Sequence, residues 1–284
     1  MTVGILLAAP MILDQEDAMS VTIAVDDVTP DLVRMRYSFV NVYMQGTADS
    51  WVLIDAGLRG CANDVVRIAE ERFGKGTVPQ AIVLTHGHFD HVGAFPELFE
   101  HWDVPIYAHL LEMPHLTGGA DYPPPDPTVG KGAMALLSFA YPNKANDFGS
   151  RVTSLPEDGS VPFMPGWRWI HTPGHTNGHV SLFREDDRLL IAGDAFVTVQ
   201  QESLYDVIRQ KQEVQGPPAY FTPDWAAARI SVEKLAALNP AIGATGHGTP
   251  MRGAKLEEGL SNLLVNFDEI AVPDHGRYVD DSDS

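Results

Sequence analysis

The sequence predicts an α/β protein whose β-rich first half gives way to alternating strands and helices. Three observations carry that prediction. Apolar runs of strand length, "VTIAV", "VRMRYSFVNVYMQ" and "SWVLIDAG", follow one another early in the chain, and the last is apolar enough to be buried on both faces. Beyond them, segments of helical character separate further strands. At four separated places a metal-capable side chain stands directly at the end of an apolar strand.

The elements can be justified in order. "NDVVRIAEERFG" reads as a helix with Asn63 as N-cap and Gly74 as its stop. "QAIVLT" is a strand, "AFPELFEHW" a short helix and "PIYAH" a strand. Residues 114–150 are so rich in Pro and Gly that only a short apolar helix around "AMALLSF" fits, and a loop of that length is usually functional or disordered. Strands resume at "GWRWIHT" and "HVSLFRE", and a turn at Asp186-Asp187 leads into "RLLIAGD". "TPDWAAARISVEKLAALNP" is a helix with Thr222 as N-cap and Pro223 at its first position. "AIGATG" is a last strand, "GAKLEEGLSNLLVNFDEIA" a last helix, and the acidic "DDSDS" is expected to fray. The sequence contains no internal repeat.

With 284 residues, 44% of them hydrophobic, the chain can bury a full core. Residues 1–18 read as a loosely attached leader or as the product of an upstream start, and 19–284 as one domain with long loops at about 114–150 and 196–225. The apolar "GILLAAPMIL" near the start is too short to span a bilayer and has no Lys or Arg before it. A cytoplasmic protein is expected, with a homodimer as the oligomer to look for. Nineteen Lys plus Arg against 38 Asp plus Glu give a formal charge of −19, which repels nucleic-acid backbones and anionic membranes. The expected partner is therefore a small molecule. Cys61, the one cysteine, reads as a small packing residue at a helix start rather than a nucleophile.

The chemistry concentrates in "LTHGHFDHVGAF", where His86, His88, Asp90 and His91 crowd one short loop. A core could not bury such groups without partners, so the density points to a metal. The other strand-end groups are His175 in "HTPGHTNGH", Asp194 ending "LLIAGD" and His247 in "ATGHG". Strand ends on one sheet edge converge, and the glycines beside these groups allow the turns that aim them. Among three histidines in "HTPGHTNGH", His171 and His179 sit at strand termini while His175 sits at the apex of the bent loop. His109 and His115 stand alone and receive no role. Imidazole and carboxylate without thiolate favour zinc, iron, manganese or cobalt.

These residues resemble those of the metallo-β-lactamase superfamily, closest in style to its glyoxalase II-like hydrolases. The H-x-H-x-D-H motif is followed by His, Asp and His in the family's order, over about residues 20–250. The resemblance implies a four-layer αββα sandwich with two divalent metals, zinc first among them, at one sheet edge. It assigns His86, His88 and His175 to one metal, Asp90, His91 and His247 to the other, and Asp194 to a bridge between them. Asp55 in "VLIDAG" matches an aspartate that supports the ligands from behind. Such a pair of metals lowers the pKa of a shared water to about 7, making hydroxide the nucleophile. Asp90 is then the residue expected to orient it and to shuttle a proton.

Departures from the family's subtypes narrow the expected substrate. Asp194 stands where subclass B1 β-lactamases carry a cysteine, and the B3 type lacks that aspartate. Val197 occupies the place of a tyrosine typical of quorum-quenching lactonases. The stretch after His247, with Arg252, Lys255 and Arg277, is short for the helical domain by which glyoxalase II binds glutathione. Aromatic residues in the two long loops, Tyr122, Phe196, Tyr205, Tyr220 and Phe221 among them, are expected to roof the site. The expected reaction is hydrolysis of small esters, lactones or thioesters, with promiscuous attack on phosphotriesters. The alternatives are a mononuclear iron persulfide dioxygenase and a non-catalytic metal-binding protein of the same fold. The complete set Asp90, His91 and His247 argues against the non-catalytic protein and gives no special support to the dioxygenase.

Overall fold

The computed structural model describes residues 22–129, 132–201 and 204–279; the expected leader and the acidic tail lie outside the described residues. Four strands open the fold as an antiparallel meander: β1 (Thr22–Thr29), β2 (Leu32–Tyr37), β3 (Val40–Thr47) and β4 (Ser50–Ile54). The run "VRMRYSFVNVYMQ" is thus two strands. Ser38, at φ 58°, makes the turn between them, in a left-handed conformation that a strand interior does not accept. Helix α1 (Ala62–Phe73) then crosses to β5 (Ala81–Val83), and the short helices α2 (Phe89–Val92) and α3 (Phe95–Leu98) lead to β6 (Ile106–Ala108). Helices α4 (Met113–Leu116) and α5 (Ala133–Leu137) punctuate the long loop, which ends at β7 (Val152–Ser154). Strands β4 to β7 run parallel and complete a seven-stranded sheet.

The second sheet comes from β8 (Trp167–His171), β9 (Val180–Arg184), β10 (Leu189–Gly193), β11 (Ile242–Thr245) and the unforeseen β12 (Met251–Arg252), in the order β12-β11-β10-β9-β8. Helices α6 (Leu204–Arg209) and α7 (Trp225–Ala236) fall between β10 and β11. Helices α8 (Gly253–Val265) and α9 (Phe267–Ile270) follow β12.

Side-chain alternation along the strands assembles these pieces into four layers. In β4, Trp51 and Leu53 join Val65, Ile68 and Ala69 of α1, while Val52 and Ile54 turn inward. In β10, Leu189 and Ile191 meet that inner face, while Leu190 and Ala192 join Val232 of α7 and Leu256 and Leu260 of α8. The result is an αββα sandwich with one apolar layer between the sheets and one on each outer face. None of the described helices is long and apolar enough to cross a membrane.

Helix starts differ from the expected caps. Helix α1 begins at Ala62, with Cys61 rather than Asn63 at the cap position and no side-chain cap bond. Asp224, not Thr222, caps α7, accepting from the Ala227 amide at 2.8 Å. Cys61 is buried among Ala62, Val65 and Ala56 in the outer core, in line with a packing role. Cys61→Ser is expected to retain metal content and turnover and to lose only about 1 kcal/mol of stability, the order of cost of placing a hydroxyl among apolar groups. Elemental analysis and thermal melting check this, and loss of activity in the folded variant would contradict it.

Candidate metal centre

All the strand-end groups arrive at one edge. His86, His88, Asp90 and His91 follow β5, the last two on α2; His175 lies on the β8–β9 loop; Asp194 follows β10 and His247 follows β11. Each is buried, and the most exposed, Asp90, retains only 6% of its surface. Gly193 turns the chain at φ 55° just before Asp194, with no room for a Cβ against the His179 ring at 2.6 Å. Buried polar groups at such density need either mutual protons or a cation.

The distances favour a cation. His88 Nδ1 lies 3.1 Å from His86 Nε2 and 2.9 Å from His175 Nε2. Asp194 Oδ2 lies 3.0 Å from His247 Nε2, 3.5 Å from His175 Nε2 and 3.6 Å from His91 Nε2, between the histidine groups. Asp90 Oδ2 comes within 3.6 Å of His247 Nε2. Three sets of ligand atoms each converge within 4.8 Å: His86, His88 and His175; His86, His91 and Asp194; Asp90, His91 and His247.

Partners behind the rings settle which nitrogen faces inward. Thr85 Oγ1 donates to Asp55 Oδ2 at 2.8 Å, so it accepts from His86 Nδ1 at 3.1 Å. Thr222 Oγ1 donates to Pro218 O at 2.8 Å, so it accepts from His175 Nδ1 at 3.2 Å. His91 Nδ1 donates to Asp55 Oδ2 and His247 Nδ1 to Phe39 O, both at 2.8 Å. The Nε2 lone pairs of these four rings therefore point at the centre, an arrangement typical of metal-binding histidines. His91 Nε2 and Asp194 Oδ1 are buried with no hydrogen-bond partner among the described residues. Converging lone pairs and orphaned atoms with a carboxylate among them fit divalent cations and leave the site incomplete without them.

Electrostatics divide the centre. Burial opposes protonation of His91 and His247, but Asp194 with the neighbouring carboxylates outweighs it and raises the pKa of both above the usual histidine range, so that without a cation protons on these two rings take its place. Burial, with the neighbouring imidazoles, pushes His86 and His88 well below the usual histidine range and His175 to about 4, so these rings are neutral. Burial opposes ionisation of Asp194, but His247 and His91 outweigh it and hold the carboxyl well below the usual carboxylate range. Asp55 stands behind as expected. It occupies the left-handed region at φ 60° and its Oδ1 accepts from the Thr85 amide at 2.8 Å. A strained backbone at a residue with this many bonds is characteristic of a functional site.

Of the aromatic residues expected above the site, Tyr220 and Phe221 line a narrow cleft of about 10 Å³ over it, with Phe39, Phe89 and Pro218. The other three lie elsewhere. Phe196 turns into the core beneath α7 and α8, because the chain leaving β10 runs along that outer layer. Tyr205 is 63% exposed on α6 and borders a separate hollow with Gly216 and Ala271. Tyr122 packs behind His88, ring centroids 4.7 Å apart, and its hydroxyl donates to Glu112 rather than facing the pocket. His171 and His179 stay out of the centre; His179 Nε2 accepts the Asp194 amide at 2.9 Å. His109 stacks on His171, and His115 on Tyr122. Sequence reasoning missed the wall residues Phe39 and Phe89, the backing residues Thr85 and Thr222, and Glu112. A glutamate in the otherwise apolar stretch "LLEMPHL" was the only signal for the last.

An αββα sandwich with this His/Asp centre at its sheet edge defines a class of metal-binding protein. The family model described as the metallo-beta-lactamase superfamily matches residues 35–247, and the chain belongs to that superfamily. It is 54% identical over 239 residues to the "Probable metallo-hydrolase YflN" of Bacillus subtilis (strain 168), covering 83% of this chain and 90% of that one. A hydroxyacylglutathione hydrolase of Xylella fastidiosa (strain M23) is 34% identical over 130 residues, 45% of this chain and 37% of that protein. Among solved structures, TTHA1623 in a di-iron-bound form is 26% identical with a TM-score of 0.51, covering 82% of this chain and 93% of that one. A beta-lactamase domain protein from Burkholderia ambifaria shares the fold, with a TM-score of 0.59 at 20% identity, covering 89% and 79%.

Proposed function

We propose that the chain is a metal-dependent hydrolase of small uncharged esters, lactones or thioesters, with phosphotriesters as promiscuous substrates. His86, His88 and His175 would hold one divalent ion, Asp90, His91 and His247 a second, and Asp194 would be shared, with zinc first among the candidate metals and iron, manganese or cobalt next. Bound there, the ions would supply Lewis acidity and a water acidified toward neutrality. The chain itself supplies the rest. Asp90, at the pocket floor beside His247, is placed to orient the attacking water and to pass its proton to the leaving group. Phe39, Phe89, Pro218, Tyr220 and Phe221 restrict bulk water and give an acyl group an apolar surface.

One observation carries the substrate class: among the described residues lining this pocket there is no Lys or Arg. With a chain charge of −19, only the bound ions would offset the cost of bringing in an anion, and no side chain of the pocket would meet the further charges of a polyanion. The relative named as a probable metallo-hydrolase supports the reaction type, and the one named for hydroxyacylglutathione supports including thioesters. The complete group of Asp90, His91 and His247 weighs against a one-metal oxygenase. The test is a panel of aryl esters, lactones, thioesters, phosphotriesters, phosphodiesters, β-lactams and RNA, assayed with metal-loaded protein. Uncharged esters, lactones or thioesters are expected to be turned over fastest. RNA or phosphodiester cleavage far faster than all of these would overturn the proposal.

A further inference from the structure

Glu112 is fully buried between the long loop and the centre, yet among the described residues its carboxylate meets no cationic side chain. Its carboxylate is satisfied by donors from two ligand-bearing loops and by Tyr122 behind His88. Oε1 accepts from Thr176 Oγ1 at 2.6 Å and from the Gly178 amide at 3.0 Å, just after His175. Oε2 accepts from the Gly87 amide at 3.0 Å, between His86 and His88, and from the Tyr122 hydroxyl. The glycines at these places make room for it. A Cβ at Gly178 would lie 2.8 Å from Glu112 Oε1 and one at Gly87 would lie 2.4 Å from the Tyr122 hydroxyl. The loops joined in this way come from opposite sheets and carry the three rings whose lone pairs meet at about 3 Å.

We propose that Glu112 is a positioning residue that locks the His86–His88 loop to the His175 loop and thereby sets the metal affinity of the three-histidine group without touching the metal. This deepens the dinuclear reading above and rests on it. Four donors on one carboxylate fix both loops more tightly than any neutral acceptor could, because bonds to an ionised group are shorter and stronger. Ligand rings held at a set spacing lose less freedom when a cation binds.

Glu112→Gln tests the proposal. The amide can accept from one loop only, since its NH₂ end must face either the Gly87 or the Gly178 N–H. Competition with a chromogenic chelator on folded, metal-free protein should show one of two zinc sites weakened roughly tenfold to a hundredfold, the scale seen when groups behind ligands are removed. The cobalt(II) absorption spectrum should change with it. Thr176→Val removes a single bond and should give a smaller weakening of the same site, which keeps the test available if Glu112→Gln does not fold. Metal-free melting curves separate a packing defect, which lowers stability without moving affinity. Unchanged affinity and spectrum in folded variants, with two zinc ions bound by the unaltered protein, would overturn the positioning role alone. Absence of zinc binding by the unaltered protein would overturn the metal reading and this proposal together.

Discussion

Asp194→Ala is expected to empty both metal positions and to lower kcat/KM on the best ester or lactone by on the order of a thousandfold or more, since an unactivated water has a pKa of about 16 rather than about 7. The reason is geometric. Asp194 Oδ2 is within 3.0–3.6 Å of nitrogens belonging to both histidine groups, and among the described residues no other carboxylate oxygen reaches both. Its removal also takes away one of the two carboxylates of the ligand groups, so two cations would face neutral imidazoles and Asp90 alone. The fold should survive, because the close contacts of the side chain are with the histidine rings of the centre itself. Elemental analysis after dialysis, with melting of the metal-free protein as control, is the measurement. His115→Ala serves as a comparison: its ring bonds only to the Ala120 carbonyl and stacks on Tyr122, so metal content should hold. Full activity of Asp194→Ala at one metal per chain would defeat the two-metal reading.

The centre was legible in the sequence because its residues are of rare types at recognisable places. A carboxylate or imidazole ending an apolar strand has little structural use, and seven of them do not gather by chance at the ends of β5, β8, β10 and β11. The layers were legible for a similar reason: the alternation in "SWVLI" and "LLIAG" marks strands with two buried faces. The roof was not. Aromatic residues in a loop look alike in sequence whether they face a pocket or a core, and Phe196 and Tyr220 differ only in the direction their backbone happens to give them. Thr222 fits an N-cap by type, but Asp224 two residues later serves that function and frees the threonine hydroxyl for His175. Glu112 escaped notice because two of its four partners are backbone amides, which every residue possesses and no composition reveals, and the other two are hydroxyls distant in sequence.

Gly246→Ala should be nearly as damaging as loss of Asp194, although it adds only a methyl group to a residue that is itself no proposed ligand. A Cβ at Gly246 would sit 2.0 Å from Asp194 Oδ1 and 2.9 Å from His91 Cε1. Its backbone cannot retreat, since the Gly246 amide donates to Gly193 O at 2.8 Å and its carbonyl accepts from the Asn41 amide at 2.7 Å. What gives way is the carboxylate, whose Oδ1 has no hydrogen bond holding it. The variant is therefore expected to fold, to bind less metal and to lose on the order of a hundredfold or more in kcat/KM, as misplacement by about 1 Å is enough to do. If the methyl acts through Asp194, combining it with Asp194→Ala should add almost nothing, because the group it displaces is already gone. Effects that add in full would mean that Gly246→Ala harms the site by another route, through the His91 ring or the β11 backbone. A Gly246→Ala protein with unaltered metal content and rate would show that Asp194 does not need the position it occupies here.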